Sequence, residues 1–341
     1  VGLGQLIFGP VSDRFGRRLT LFAGLGLYLL GSVLASFAPN LEFLVLARFI
    51  QGLGASAAMV LPRVIINDTH KPRAAAASLA AVTAAMAITP MISFPFGGIL
   101  FEFFGWRGSM VVTALLGVIT LAATLFVLQE TNSKRQKSLR LVSVAVDYLS
   151  LTKNKQFLLF SMNMGFHTSI FYAFLNFLPF AFKHLGYSAS EFGYYIMLLP
   201  TSFIAGNLIS RKLTPMLGIT KMVRMGSLII VAGVGVMAGL VFLGFESAWG
   251  LVLPGMVYSL AVGFSLPNAT MGAINAVGRS VKGLGSGLAG SLQMLLGSGI
   301  AASTILLGAA EDTRIGLGIL LLVAIASFVT TLYLVEDSED T

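Results

Sequence analysis

Cysteine is absent from this chain of 341 residues. That excludes disulfide frameworks, thiolate catalysis and Cys-ligated metal centres. Charge is nearly as scarce: Asp, Glu, Lys and Arg make up 11%, against about 25% in soluble domains. Acidic side chains avoid the apolar runs. Glu42, Asp68, Glu102, Glu130, Asp147, Glu191, Glu246, Glu311 and Asp312 all fall in connectors or at their edges. Of the three histidines, only His167 lies deep in an apolar run. No metal-ligand spacing is present, so no metal site is expected. No G-x-x-x-x-G-K-[ST] loop for nucleotide phosphates occurs either.

What fills the chain instead is apolar. Hydrophobic residues are 56% and the mean hydropathy is +0.88, which places the chain in lipid. A spanning helix needs about 20 apolar residues. Eleven such segments are predicted: 1–11 (cut short), 19–37, 43–65, 75–101, 108–128, 156–182, 190–212, 222–243, 249–275, 284–308 and 314–335. Glycine contributes 38 residues, in keeping with close helix packing in membranes.

The surplus of basic residues is topological. Connectors at 12–18, 66–74, 129–155, 213–221 and 276–283 alternate with those at 38–42, 102–107, 183–189, 244–248 and 309–313. The first set, with flanking helix ends, holds Arg14, Arg17, Arg18, Lys71, Arg73, Lys134, Arg135, Lys137, Arg140, Lys153, Lys155, Arg211, Lys212, Lys221, Arg224, Arg279 and Lys282, or 17 of the 22 Lys and Arg. The second holds Arg107, Lys183 and Arg314. By the positive-inside rule the first set is cytoplasmic. The net charge of +8 therefore implies no nucleic-acid partner.

The chain starts at Val1 with a half-length apolar run, so an N-terminal helix is expected to be missing, and no signal peptide can be assessed. The expected organisation is an N-terminal bundle over 1–128, a cytoplasmic linker over 129–155 and a C-terminal bundle over 156–335. An acidic tail over 336–341 is expected to be disordered. One more helix before Val1 would make six plus six. Gly9-x-x-x-Asp13-Arg14 also has a degenerate echo in Gly206-x-x-x-Ser210-Arg211.

Several residues carry chemistry. Asp13 and Arg14 end a helix and Gly16 permits the turn that follows. Asp13 can accept from free N–H groups at a neighbouring helix start, and Arg17 and Arg18 can face lipid phosphates. Arg48 lies about 8 Å into its helix, where a charge in lipid costs at least about 2.5–3.5 kcal/mol. It is expected to face protein or water, with Gln51, Gly52, Ala55 and Met59 on its face. The alternative is a snorkelling arginine. Asn163, His167, Ile170, Phe174 and Phe177 form one helical stripe, flanked by Tyr172 and Asn176. With Asn268, Asn275 and Gln293 they suit an amphiphilic ligand, or else packing and interhelical hydrogen bonds. His167 is also a candidate proton carrier. Pro90, Pro95, Gly97 and Gly98 predict a bend or a tightly packed hinge.

Gly9-Pro10-Val11-Ser12-Asp13-Arg14-Phe15-Gly16-Arg17-Arg18 resembles the G-x-x-x-D-R-x-G-R-R loop of the major facilitator superfamily. Arg48-Phe49-Ile50-Gln51-Gly52-Leu53-Gly54-Ala55 resembles the R-x-x-Q-G-x-G-A segment of its drug:proton antiporters. Pro90–Gly98 resembles their fifth-helix signature, with one glycine lost and Pro95 added. Arg63, Asp68 and Gly105-Trp106-Arg107 resemble the bicyclomycin-resistance (Bcr/CflA) subfamily.

The resemblance implies an all-α integral membrane fold of two six-helix bundles, lacking its first helix, that rock about a midplane site. It implies that Gly9, Asp13, Arg14, Gly16, Arg17 and Arg18 latch the halves, that Arg48 takes part in proton coupling, and that the Pro90–Gly98 element commits the protein to export. It also implies a proton carboxylate on the absent first helix. The expected function is multidrug efflux in exchange for protons, from a bacterial inner membrane, by a monomer without a cofactor. The partners are small amphiphilic compounds, protons and the bilayer. A proton-coupled uptake symporter on the same fold is one alternative. A lipid-modifying membrane enzyme is another, for which Asp68, Thr69 and His70 are the only surface cluster. A fragment without function is the third.

Overall fold

The computed structural model describes residues 1–132, 146, 148–278 and 281–335. Lys134, Arg135, Lys137, Arg140, Asp147, Arg279 and the acidic tail lie outside the described residues, as do the side chains of Arg73 and Lys282. Every regular element among the described residues is helical. In chain order these are α1 (Gly2–Phe15), α2 (Arg17–Ser36), α3 (Leu41–Thr69), α4 (Pro72–Val127), α5 (Lys155–His184), α6 (Ala189–Ile196), α7 (Leu198–Leu217), α8 (Ile219–Phe242), α9 (Ala248–Asn275), α10 (Lys282–Leu306) and α11 (Thr313–Leu332). Among the described residues, nine helical stretches are long and apolar enough to cross a membrane.

Local chemistry explains where the elements start and break. Asn40, Asn154 and Ser247 each accept a backbone N–H three residues on, and Ser188 forms a capping box with Glu191. Each thereby satisfies an orphan donor at a helix start. α4 is two spans joined at Gly105, whose φ of 64° and ψ of −174° suit glycine alone. α6 and α7 make one span, interrupted after Ile196. Pro200 lacks an N–H, and its ring crowds the carbonyl four residues back, at Ile196.

The chain divides into two compact units. Unit 1 comprises Val1–Met86 and Ile99–Ala145. Its seam is α2 against α3, with the backbones in contact. A methyl group added at Gly31 would collide with Gln51 N and Ala47 O, and one at Gly54 with Tyr28 N and Gly24 O. α1 closes on α3 where Gly4 meets Ser56. Small residues are what allow such approach in lipid, where dispersion contacts drive helix association. Substituting Val at Gly31 is therefore expected to abolish the folded protein, because the obstructing atoms are backbone. Size-exclusion chromatography of a fluorescent fusion checks this; a monodisperse peak at wild-type yield would contradict it.

Unit 2 comprises Ala87–Gly98 and Val146–Thr341. Its core gathers Ile170, Phe174, Phe177, Ile196, Ile230, Met237 and Tyr258, all essentially without exposed surface. Phe174 and Tyr258 meet edge to face at 5.3 Å. The proline-containing part of α4 belongs to this unit. A methyl on Gly98 would strike Ala189 O, and one on Gly193 would strike the backbone at Phe94 and Pro95. α4 stays helical through Pro90 and Pro95; its non-helical residue is Gly105. Gly98 acts by close packing, whereas the space beside Gly97 is open.

The turn geometry corrects the expected internal echo. Gly16 (φ 99°, ψ 154°) ends α1 and starts α2, and Gly218 (φ 79°, ψ 163°) does the same between α7 and α8. Aligning these corners pairs Ser12 with Thr214 and Asp13 with Pro215, so Ser210 is not the counterpart of Asp13. The degenerate glycine pattern misplaced the repeat because glycines are frequent in every span here.

Candidate functional site

The basic corner between α1 and α2 folds into a charged knot within unit 1. Gly16 offers no side chain to cap α2, so the first N–H groups of that helix need an outside acceptor. Glu130 supplies it: Arg17 N donates to Glu130 Oε1 at 2.9 Å. Asp13, expected to accept at a neighbouring helix start, is not the acceptor used by this N–H. Asp13 instead takes the Arg17 guanidinium, Nη1 to Oδ1 at 2.5 Å. Arg17 Nε reaches Asp68 Oδ2 at the end of α3, 3.1 Å away, and Nη1 also donates to Ser12 Oγ. Asn132 donates to the carbonyls of Ser12 and Asp13.

Two elements, α1 through Ser12 and Asp13 and α3 through Asp68, thus converge on one guanidinium whose side chain is 10% exposed, while Glu130 holds the backbone of the same residue. The other corner residues differ from it. Arg14 is exposed and lies over the Phe15 ring, 5.1 Å from its centroid. Arg18 is exposed and donates to Leu125 O at 3.0 Å. Gly9 has open space beside it and accepts from Ser12 Oγ. Glu130 and Asn132 were missed at the sequence level, because a partner over a hundred residues away leaves no local signal.

A second polar group lies further along α3. Arg48 is exposed, and its Nη1 donates to Gln51 Oε1 at 2.5 Å. Gln51 is buried and passes the contact on, its Nε2 donating to Ser32 Oγ at 2.7 Å and to Thr113 Oγ1 at 3.5 Å. The amide carbonyl therefore tethers the charge, while its NH2 locks α3 to α2 and to the second span of α4. Met59, half-buried, sits 3.8 Å from the Gln5 amide. Arg63 is exposed.

In unit 2 the predicted ligand stripe lies inside the packing. Asn163, His167, Ile170, Phe174 and Phe177 are at most 1% exposed, so no water-accessible surface reaches them in this conformation. Asn163 Nδ2 donates to Ser227 Oγ, Ser327 O and Ser327 Oγ, joining α5 to α8 and α11. His167 Nε2 lies 3.3 Å from Ser227 Oγ, and Tyr258 donates to the His167 carbonyl at 2.7 Å. Asn268, also buried, forms a neutral triad with Ser210 and Thr214. The aromatic-and-amide pattern was open between a ligand wall and packing; in this conformation the stripe is a core with interhelical hydrogen bonds. Periodicity alone cannot separate the two. Replacing His167 by Gln is expected to lower the melting temperature of the purified protein, since a lost buried polar contact costs about 1–3 kcal/mol. Transport should keep its dependence on the proton gradient; loss of that dependence with unchanged melting would make His167 a proton carrier.

The flanking residues behave differently. Within 157–182 the only exposed residues are Asn176 and Phe180. Asn176 Nδ2 donates to Ala301 O at 3.1 Å, Tyr172 OH contacts Met294 Sδ at 3.3 Å, and Gln293 Nε2 donates to Thr168 Oγ1 at 2.8 Å. Thr168, Tyr172 and Asn176 stand four residues apart, so they share one face of α5. Ala301 satisfies one N–H of the Asn176 amide, and leaving its other groups without hydrogen bonds in hydrocarbon is costly, which argues that this face meets water or a polar ligand.

Helices of spanning length, glycine-packed seams and a guanidinium knot define a multi-pass membrane protein built on two helical units. The chain belongs to the Major Facilitator Superfamily, whose model matches residues 1–302, and it is accordingly a membrane transporter. The fold is that of a crystallised D-xylose–proton symporter, with a TM-score of 0.80 at 14% identity over 100% of this chain and 86% of that one. The human organic anion transporter MFSD10 (TETRAN) matches at a TM-score of 0.65 and 18% identity, over 96% of this chain and 80% of that one.

Among curated relatives, an uncharacterized MFS-type transporter, YdgK of Bacillus subtilis, is 27% identical over 94% of this chain and 80% of its own length. The multidrug transporter MdfA of Yersinia pestis is 25% identical over 86% of this chain and 71% of its own. A bicyclomycin resistance protein homolog of Haemophilus influenzae is 24% identical over 66% of this chain and 57% of its own. Against an uncharacterized transporter of Rickettsia bellii the chain spans about half the relative's length, 53%.

Proposed function

We propose that this chain exports small amphiphilic compounds in exchange for protons, as a member of the Bcr/CflA-like group of the superfamily. Its proposed place is a bacterial inner membrane, with the basic connectors on the cytoplasmic side. The observation that carries this reading is Arg48, a charge on a membrane-length helix tethered to a buried glutamine that ties three spans together. A guanidinium so held is costly to keep and responds to any nearby change of charge. Relatives named as a multidrug transporter and as a bicyclomycin resistance homolog support the export direction.

In this reading Arg48 repels a proton bound elsewhere in the transport path, and its tether transmits that repulsion to α2 and α4. The Arg17 knot acts as a latch. Its one guanidinium is shared by Asp13 and Asp68, so protonating or displacing either carboxylate loosens the corner. Expression in a drug-sensitive bacterial strain, scored against a panel of unrelated amphiphiles, tests the reading. Raised resistance that a protonophore abolishes is expected. Unchanged resistance across the panel, or enhanced uptake of the compounds, would contradict it.

A further inference from the structure

We infer that the side-chain ladder joining α5 to α10 is a recognition surface for uncharged, hydrogen-bonding aromatic compounds. This deepens the export reading and rests on it. The ladder is separate from the sealed stripe of Asn163, His167, Phe174 and Phe177. Its rungs are Thr168 with Gln293, Tyr172 with Met294, and Asn176 with Ala301.

Three features fit it to such a ligand. Asn176 is exposed in the middle of a helix whose other positions between 157 and 182, Phe180 apart, are buried or half-buried. An amide kept at that position needs water or a ligand to satisfy the groups that Ala301 does not. Tyr172 lies one turn before Asn176 on the same face, so ring surface adjoins amide, and its ring stands 6.1 Å from that of Phe171. Met294 adds an unbranched, polarizable side chain that adapts to ligands of varied outline. The ladder itself is neutral. The described carboxylates of unit 2, Glu191, Glu246, Glu311 and Asp312, stand in connectors or at helix starts. A ring with one or two hydrogen-bonding groups finds complementary contacts here, and an organic cation finds no counter-ion among the described residues of this face.

The test uses the full chain in proteoliposomes under an imposed proton gradient. The probes are aminomethylcoumarin, which is neutral and both donates and accepts hydrogen bonds, and tetraphenylphosphonium. The wild type should move the coumarin in preference. Asn176→Ala and Gln293→Met should each raise the half-saturating coumarin concentration by about fivefold or more, the loss of one hydrogen bond. Asn176→Asp should shift preference toward tetraphenylphosphonium. Asn176 is exposed, so its variants should elute as the wild type does on size exclusion.

If the wild type prefers the phosphonium, or if all three variants leave both saturation curves unchanged, the inference is overturned while export stands. If the wild type moves neither probe and confers no resistance, the export reading fails and takes this inference with it.

Discussion

Arg17→Gln is expected to cost about 2–3 kcal/mol of stability and most of the transport activity. Removing one partner of a buried ion pair costs about 3–5 kcal/mol, because the remaining charge is stranded. Here the figure is discounted, since the Asp13 and Asp68 side chains are 38% and 30% exposed and water screens them partly. The damage follows from geometry. Among the described residues Arg17 is the one cation paired with both Asp13 and Asp68, and its loss leaves two carboxylates without their shared partner. Adding Asp68→Asn to Arg17→Gln should recover part of the stability, because it removes the repulsion. Melting curves of the single and double variants check this. A double variant less stable than Arg17→Gln alone would mean that Asp68 does not act through Arg17. Arg14 and Arg18 provide the contrast. Both are exposed, and Ala at either should change stability by less than about 0.5 kcal/mol.

Arg48→Ala is expected to abolish proton-driven extrusion while the protein still inserts and folds. The side chain is exposed and its one described contact is the Gln51 carbonyl, so its removal leaves the α2–α3 seam intact. Gln51 keeps its bonds to Ser32 and Thr113. Arg48→Lys should restore only a fraction of the activity. An ammonium keeps the charge but lacks the planar fork that lets one nitrogen bind the amide while the others face outward. Transport assays paired with size exclusion separate the effects. Full proton-driven activity in Arg48→Ala would remove this residue from the coupling step.

The membrane fold was readable in the sequence because its cause is local. Each apolar run and each basic connector reports its own environment, and the fourth and fifth predicted spans meet at Gly105. The corner at Gly16 was readable for the same reason. The partners of Arg17 were less so: Asp68 and Glu130 arrive from elements distant in the chain. The stripe from Asn163 to Phe177 left a ligand wall and a packed core both open, since amides and aromatics at helical spacing serve either. Tyr172 and Asn176 were visible as its flanks. Only the fold reveals that α5 packs against α9, α10 and α11 and that Asn176 and Phe180 stay exposed on it.

The central claim is the exchange of a compound for protons, and direct reconstitution tests it best. The full chain is placed in vesicles carrying a pH-sensitive dye in the lumen, and a resistance-conferring compound is added on one side with no initial pH difference. The account predicts that protons move opposite to the compound, and that Arg48→Ala uncouples or stops both. Protons moving with the compound, or a compound flux indifferent to pH in the wild type, would contradict it.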